Sequence, residues 1–312
     1  MKKLLEIVIT HWTEPWSVGA KAFDMLSIQR RVDWRKVCVT IVHDGSDAFP
    51  NEYFSGFPFK VNQVCIPHSG VSAARNYAID HCSATWIKFC DFDDMFAGAY
   101  SLSCIIDALE MSQKYGYVFL PYIAEMYNGK LLLLENSDVF VHDKVFRVSF
   151  LNENDIRFNE ELAYSEDFVF MALVKLNADK AKLGRVNSNF PLYVYIQRID
   201  SVGNRQDLWY RNRCDLFKAH RCVVDALMEH GFDHEADVLI ARTIAENLLT
   251  IKRADQSIDT SELRDLTLEY SDKNAGHISR LSDRDYDCVV LKTNQQNNAN
   301  ITRDELFEWI KR

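Results

Sequence analysis

The sequence predicts an α/β fold in which a mostly parallel, mixed sheet is flanked by helices, followed by a C-terminal helical region. Three observations carry this prediction. Short β-branched runs alternate with amphipathic stretches in the N-terminal part, two of those runs end in acidic residues, and from residue 204 strand patterns give way to helical periodicity.

Residues 4–10 and 37–43 are apolar, β-branched runs that read as strands, and between them Ala20, Phe23, Met25, Leu26 and Ile28 form a helical pattern. A third run, 59–66, leads into Pro67-His68-Ser69-Gly70, a loop that opens a helix over 71–81. Trp86 to Cys90 is a strand that carries Asp91-Phe92-Asp93-Asp94 at its C-terminal end. Such alternation predicts parallel strands with helices on both faces. After a helix near 100–115, strands at 117–126 and 130–135 joined by Tyr127-Asn128-Gly129 form a hairpin, which makes the sheet mixed. A helix over 165–177 and an apolar run from Leu192 to Arg198 complete a first domain, residues 1–203. The remainder, 204–312, holds amphipathic stretches such as 216–228 and 236–249, with a polar loop at 294–300 before a last short helix. No Pro/Gly/Ser-rich linker divides the two parts, so the helical region is expected to pack on the α/β part.

With 312 residues, 47% of them hydrophobic and 12% aromatic, the chain can bury a large core and is not of the disordered class. A net charge of −9 with basic residues scattered among acidic ones disfavours nucleic acid as an obligatory partner. Two local basic clusters, Arg30 to Lys36 and Arg205 to Arg221, are the exceptions. The eight cysteines include no C-x-x-C pair and read as reduced thiols. The apolar N-terminal run is broken by Glu6, and no segment reaches the ~18 uninterrupted apolar residues of a membrane span. The expected location is therefore the cytoplasm, with membrane attachment at most peripheral, at the inner face.

In open α/β sheets, ligands bind outside the carboxyl ends of the strands. Two acidic strand ends stand there. Asp44, before Gly45-Ser46, fits an Asx turn as well as an acceptor for a ring N–H of a bound base. The close carboxylates of Asp91, Asp93 and Asp94 repel one another unless a cation sits between them, and oxygen ligands favour Mg²⁺ or Mn²⁺ held jointly with substrate phosphates. Arg75, in the first turns of a helix after a Gly loop, suits an anion. Glu166 and Asp167, behind Ser165 as N-cap, fit either helix-dipole acids or a general base.

The order of these pieces, namely Asp44-Gly45-Ser46, Gly70-Val71-Ser72-Ala73-Ala74-Arg75-Asn76, Asp91-Phe92-Asp93-Asp94, Lys144 to Leu151 with Asn154 to Phe158, and Ser165-Glu166-Asp167, resembles glycosyltransferase family 2 over residues 4–203. The resemblance implies a GT-A fold and an inverting, metal-dependent transferase that moves a sugar from a nucleotide sugar, in most relatives a UDP-sugar, to a hydroxyl of a glycan, lipid-linked or polysaccharide precursor. It places Thr10, Asp44, Arg75, Asp91, Phe92 and Asp93 at the nucleotide sugar, with Asp93 and Asp91 on Mn²⁺ or Mg²⁺. It makes Asp167 the catalytic base with Glu166 in reserve, and puts Asp94, His142, Lys144, Arg198 and Ser201 near acceptor or phosphate. His11, His43 and His142-Asp143 depart from the family pattern, so donor and acceptor specificity do not transfer.

Three rival readings stay open at this level. A sugar-1-phosphate nucleotidyltransferase also needs acid-bound Mg²⁺, but the place of its Gly-rich basic loop holds Thr10-His11-Trp12-Thr13-Glu14-Pro15-Trp16. A non-catalytic carbohydrate-binding protein and a transferase acting on a modified DNA base are the other two.

Overall fold

The computed structural model describes residues 3–112, 114–178, 183–186, 188–199, 201 and 205–310. The chain divides into two compact units, Met1–Ser201 and Val202–Arg312. The domain boundary expected at residue 203 lies outside the described residues.

In the first unit, β1 (Leu5–His11), α1 (Trp16–Ser27), β2 (Val37–Asp44), β3 (Val61–Ile66), α2 (Val71–His81) and β4 (Trp86–Asp91) follow the predicted alternation. Then come β5 (Met95–Phe96), α3 (Ser101–Met111), β6 (Tyr117–Phe119), β7 (Tyr122–Glu125), β8 (Leu131–Leu134), β9 (Lys144–Arg147), α4 (Val148–Glu153), α5 (Glu166–Asn177), β10 (Leu183–Arg185) and β11 (Tyr193–Ile196). The described strands form a seven-stranded sheet, β10-β6-β9-β4-β1-β2-β3, and a four-stranded sheet, β5-β11-β7-β8. In the larger sheet β1 runs parallel to β2 and β4, and β9 is the antiparallel member between β4 and β6.

The period-2 alternation of β1 explains the layers. Leu5, Ile7 and Ile9 join Phe23 and Leu26 of α1 and Leu102 and Ile105 of α3 in one core. Val8, pointing the other way, joins Val42 of β2, Ala74, Ala78 and Ile79 of α2, and Phe170 of α5 in a second core. Successive strands step from β1 to β2 to β3 on one side, and β4 returns to the other flank of β1. That reversal opens a crevice at the carboxyl ends of β1 and β4, where Thr10 pairs in register with Asp91.

Two local expectations are corrected. The strand expected over 117–126 is two strands in different sheets: the chain breaks at Leu120-Pro121, where Pro121 has no N–H for a ladder and its carbonyl instead accepts from Leu192. The second is the polar run 294–300, expected as a loop, which lies in the helical unit. That unit comprises α6 (Trp209–Glu229), α7 (Asp233–Arg253), α8 (Ser261–Lys273), α9 (Ala275–Ile278), α10 (Asp283–Asn297) and α11 (Arg303–Ile310). Its core gathers Ile240, Ala241, Ile244 and Ala245 of α7 with Phe217 of α6 and Tyr286 and Val289 of α10. A capping box of Ser282 and Asp285 starts α10, which absorbs 294–297 of the expected loop and ends at a left-handed Asn298. Among the described residues no helix is long and apolar enough to cross a membrane. All eight cysteines are free thiols.

Candidate active site

The center of the site is Arg75. Its guanidinium, 5% exposed, donates from Nη1 to Asp167 (2.7 Å) and Glu166 (3.1 Å) and from Nη2 to Asp91 (3.0 Å). Its flat face lies 5.2 Å from the ring of Phe158, which stacks on Phe170. Asn76, the next residue, receives the backbone N–H of Phe158 and donates to the Phe158 carbonyl, and so fixes that ring. The helix start of α2 thus points an arginine across the crevice to β4 and the first turn of α5. Its two terminal nitrogens therefore meet carboxylates rather than standing open to the phosphate expected beside Arg75, while among the described residues Nε is buried with no hydrogen-bond partner. Burial works against its charge, and Asp167, Asp91 and Glu166 outweigh that and raise its pKa.

The base candidates are delivered by an unusual helix start. Ser165 occupies the N-cap position with φ 68°, a left-handed conformation that L-residues rarely adopt, and makes no side-chain cap bond, contrary to the capping role expected of it. Asp167 Oδ2 accepts from the Val141 N–H at 3.2 Å. Burial raises the Asp167 pKa against the pull of Arg75. Burial and the neighbouring Asp167 charge push Glu166 up to about 7.

At the end of β4 the acids diverge. Asp93 lies 3.2 Å from Arg198 Nε, and burial followed by the charge of Asp91 pushes it up to about 6. Arg198 also reaches toward Glu14, 3.9 Å away, and Ser201 donates its N–H to the Arg198 carbonyl. Two oxygen-donor carboxylates, one of them with its charge held off by the other, suit a hard divalent cation shared with substrate phosphates. Among the described residues no group of three or more His, Cys, Asp or Glu side chains is placed to hold a metal by itself.

On the opposite flank, Asp44 is nearly buried. It accepts from the N–H groups of Ser69 (2.7 Å) and Gly70 (3.0 Å) and from His68 Nδ1 (2.9 Å), so it shapes the loop before α2. Gly45 (φ 79°) makes this possible, since a Cβ there would meet the His68 Cβ at 2.5 Å. His68 stacks on Trp12, which is 51% exposed, to form an aromatic shelf beside the strand ends.

Neither a family model nor a curated protein matches the chain. Among solved structures, it is similar to S. aureus TarS residues 1–349, with TM-score 0.64 and 15% identity over 99% of this chain and 90% of that one. The same TarS segment in complex with UDP-GlcNAc gives TM-score 0.63 at 15% identity with the same coverage. A longer TarS structure gives 0.61 at 14% identity, and this chain spans 55% of its length. The chain shares the fold of TarS. The likeness takes in the C-terminal helices, which the sequence motifs had left out.

Four further expectations are corrected by burial. Phe92 does not face a ligand: its ring enters the core against Gly19 of α1, where a Cβ would meet it at 2.3 Å, and stacks on Phe49. Asp94 is buried and accepts from the Tyr193 hydroxyl (3.1 Å) and the Ile196 N–H (2.8 Å), which ties β11 to the end of β4. Lys144 is fully buried and donates to the carbonyls of Ser137 and Phe140 and to Asp143, and so holds the 137–144 segment together rather than an acceptor. His142 is buried with its ring parallel to Tyr195 at 4.7 Å, and burial, then Lys88 and Lys144, drives its pKa well down. Sequence reasoning missed Trp12, His68, Asn76 and Lys88. Lys88 alone left a signal, a charge inside an otherwise apolar strand.

The raised Glu166 pKa has a consequence for stability. The folded protein retains a proton on Glu166 up to about 7 that the unfolded chain, at 4.5, has released, so between these values the native state binds more protons. Stability is expected to fall as pH rises through that window. Urea midpoints at pH 5 and pH 7.5 will differ in this sense, and the difference will narrow in Glu166→Gln; an unchanged difference would show that other groups set it.

Proposed function

We propose that the chain is a metal-dependent, inverting glycosyltransferase that uses a nucleotide sugar, most simply a UDP-sugar, and transfers the sugar to a hydroxyl of a glycan or polysaccharide precursor. The observation that supports it best is Arg75 joining Asp91 to Asp167: the strand end suited to a cation and diphosphate lies one guanidinium away from a carboxylate suited to deprotonate an acceptor. The TarS structures in complex with UDP-GlcNAc and with UDP support a uridine nucleotide as the donor's leaving part.

Asp44 and the Trp12–His68 shelf would receive the base, by a carboxylate bond and by stacking. Asp93 and Asp91 would hold Mn²⁺ or Mg²⁺, which when bound stabilises charge on the diphosphate. Arg198, beside Asp93, adds a bidentate donor for the same phosphates. Asp167 takes the acceptor proton as the acceptor oxygen bonds to C1, and the C1–O bond electrons leave with the diphosphate. Attack from the opposite face inverts the anomeric centre.

Four basic residues of the clusters that kept a DNA acceptor open are paired with acids: Arg35 with Asp33, Lys36 with Glu110, Arg205 with Asp207 and Lys218 with Asp215. The test is a screen of UDP-, GDP-, CDP- and dTDP-sugars for Mn²⁺-dependent hydrolysis. One donor is expected to turn over, and Asp93→Ala to lose metal-stimulated turnover. Failure of all donors to bind, or pyrophosphate release from a nucleoside triphosphate with a sugar phosphate, would overturn the reading.

A further inference from the structure

Lys88 lies in the middle of β4, 0% exposed, on a strand whose other residues before Asp91 are apolar. An ammonium there has lost its water, and such burial is retained only where the charge is engaged. Burial lowers its pKa. Nζ donates to the carbonyls of Phe89 (3.0 Å) and His142 (2.5 Å) and lies 3.8 Å from the center of the Tyr193 ring.

These contacts lead in two directions. The His142 carbonyl belongs to the segment whose Val141 N–H is bonded to Asp167, and that segment is drawn together by Lys144. The Tyr193 hydroxyl is bonded to Asp94, which in turn holds the Ile196 N–H, so the ring side leads to the acidic end of β4. Lys88 therefore stands where the support of the base and the support of the metal-side acids meet.

We propose that Lys88 is a positioning residue for the transfer step: through the His142 carbonyl and the Tyr193 ring it sets the placement of Asp167 relative to Asp91 and Asp93. The proposal rests on the glycosyltransferase reading. A side chain needed only for folding would lower the fraction of donor-binding protein and leave kcat per donor-binding site, counted by donor titration, unchanged. A positioning residue acts on kcat, because a misplaced base still leaves the donor bound.

The test compares wild type, Lys88→Met, which keeps length without charge, and Lys88→Gln, which keeps a donor for the His142 carbonyl. The probe is the UDP-sugar that the donor screen identifies, with Mn²⁺. Lys88→Met is expected to lower kcat by about 10- to 100-fold, with donor KM within about twofold, and Lys88→Gln to recover part of the loss. In an Asp167→Asn background the Lys88→Met loss is expected to shrink to less than about threefold, since two residues acting through one step are not additive. Three results would overturn the proposal: a KM change that accounts for the whole effect, full additivity with Asp167→Asn, or failure of both Lys88 variants to fold. Absence of turnover of any nucleotide sugar by wild type would instead remove the functional reading on which the proposal stands.

Discussion

Arg75→Met will destabilise the first unit by about 3–5 kcal/mol, the range for removing one partner of a buried ionic cluster. The guanidinium is almost fully buried and holds Asp91, Glu166 and Asp167 together. Methionine of similar reach leaves those carboxylates facing one another in a poorly solvated space, so the cost is the uncompensated charge rather than lost packing. The effect has a pH signature. As Glu166 and Asp167, whose pKa values burial raises, protonate in acid, the repulsion fades, so the difference in urea midpoint between variant and wild type is expected to be larger at pH 8 than at pH 5. A variant equally destabilised at both would place the role of Arg75 in packing against Phe158.

Asp167→Asn will lower kcat for transfer by about 10²- to 10⁴-fold, the usual contribution of a general base, with the donor still bound. Arg75 and the Val141 N–H donate to different oxygens of Asp167, so the single oxygen of Asn keeps one of these bonds and its NH2 faces the other donor; the substitution removes basicity and one of the two anchors. Glu166→Gln is expected to cost less, because Glu166 shares Arg75 but lacks the bond to the 137–144 segment. Single-turnover transfer and donor titration on the same preparations separate chemistry from binding. If Glu166→Gln proved the more severe of the two, the base would be Glu166, and the proximity of both to Arg75 would allow it.

Charge patterns and strand ends were legible where local rules act. The Asp91 to Asp94 cluster sits at the end of β4, α2 spans the predicted 71–81, and Glu166 opens α5. Which way each acid turns was not legible. Successive residues after a strand point to different sides, and nothing in Asp91-Phe92-Asp93-Asp94 tells that Asp91 meets an arginine from α2, Phe92 enters the core under Gly19, and Asp94 ties down β11. The same holds for Lys144, which the resemblance places near acceptor or phosphate and which in the fold holds its own segment.

The sequence by itself determined the α/β alternation, the helical character of the C-terminal part, and the chemical types gathered at the strand ends, because periodicity and strand termination are local properties. Only the tertiary structure decided their partners. Arg75 and Asp167 are 92 residues apart, and whether an arginine contacts a phosphate or a buried carboxylate depends on which helix start is folded opposite it. The split of 117–126 between two sheets and the buried ammonium of Lys88 have the same origin: burial and pairing are set by contacts distant in the chain, which no local pattern encodes.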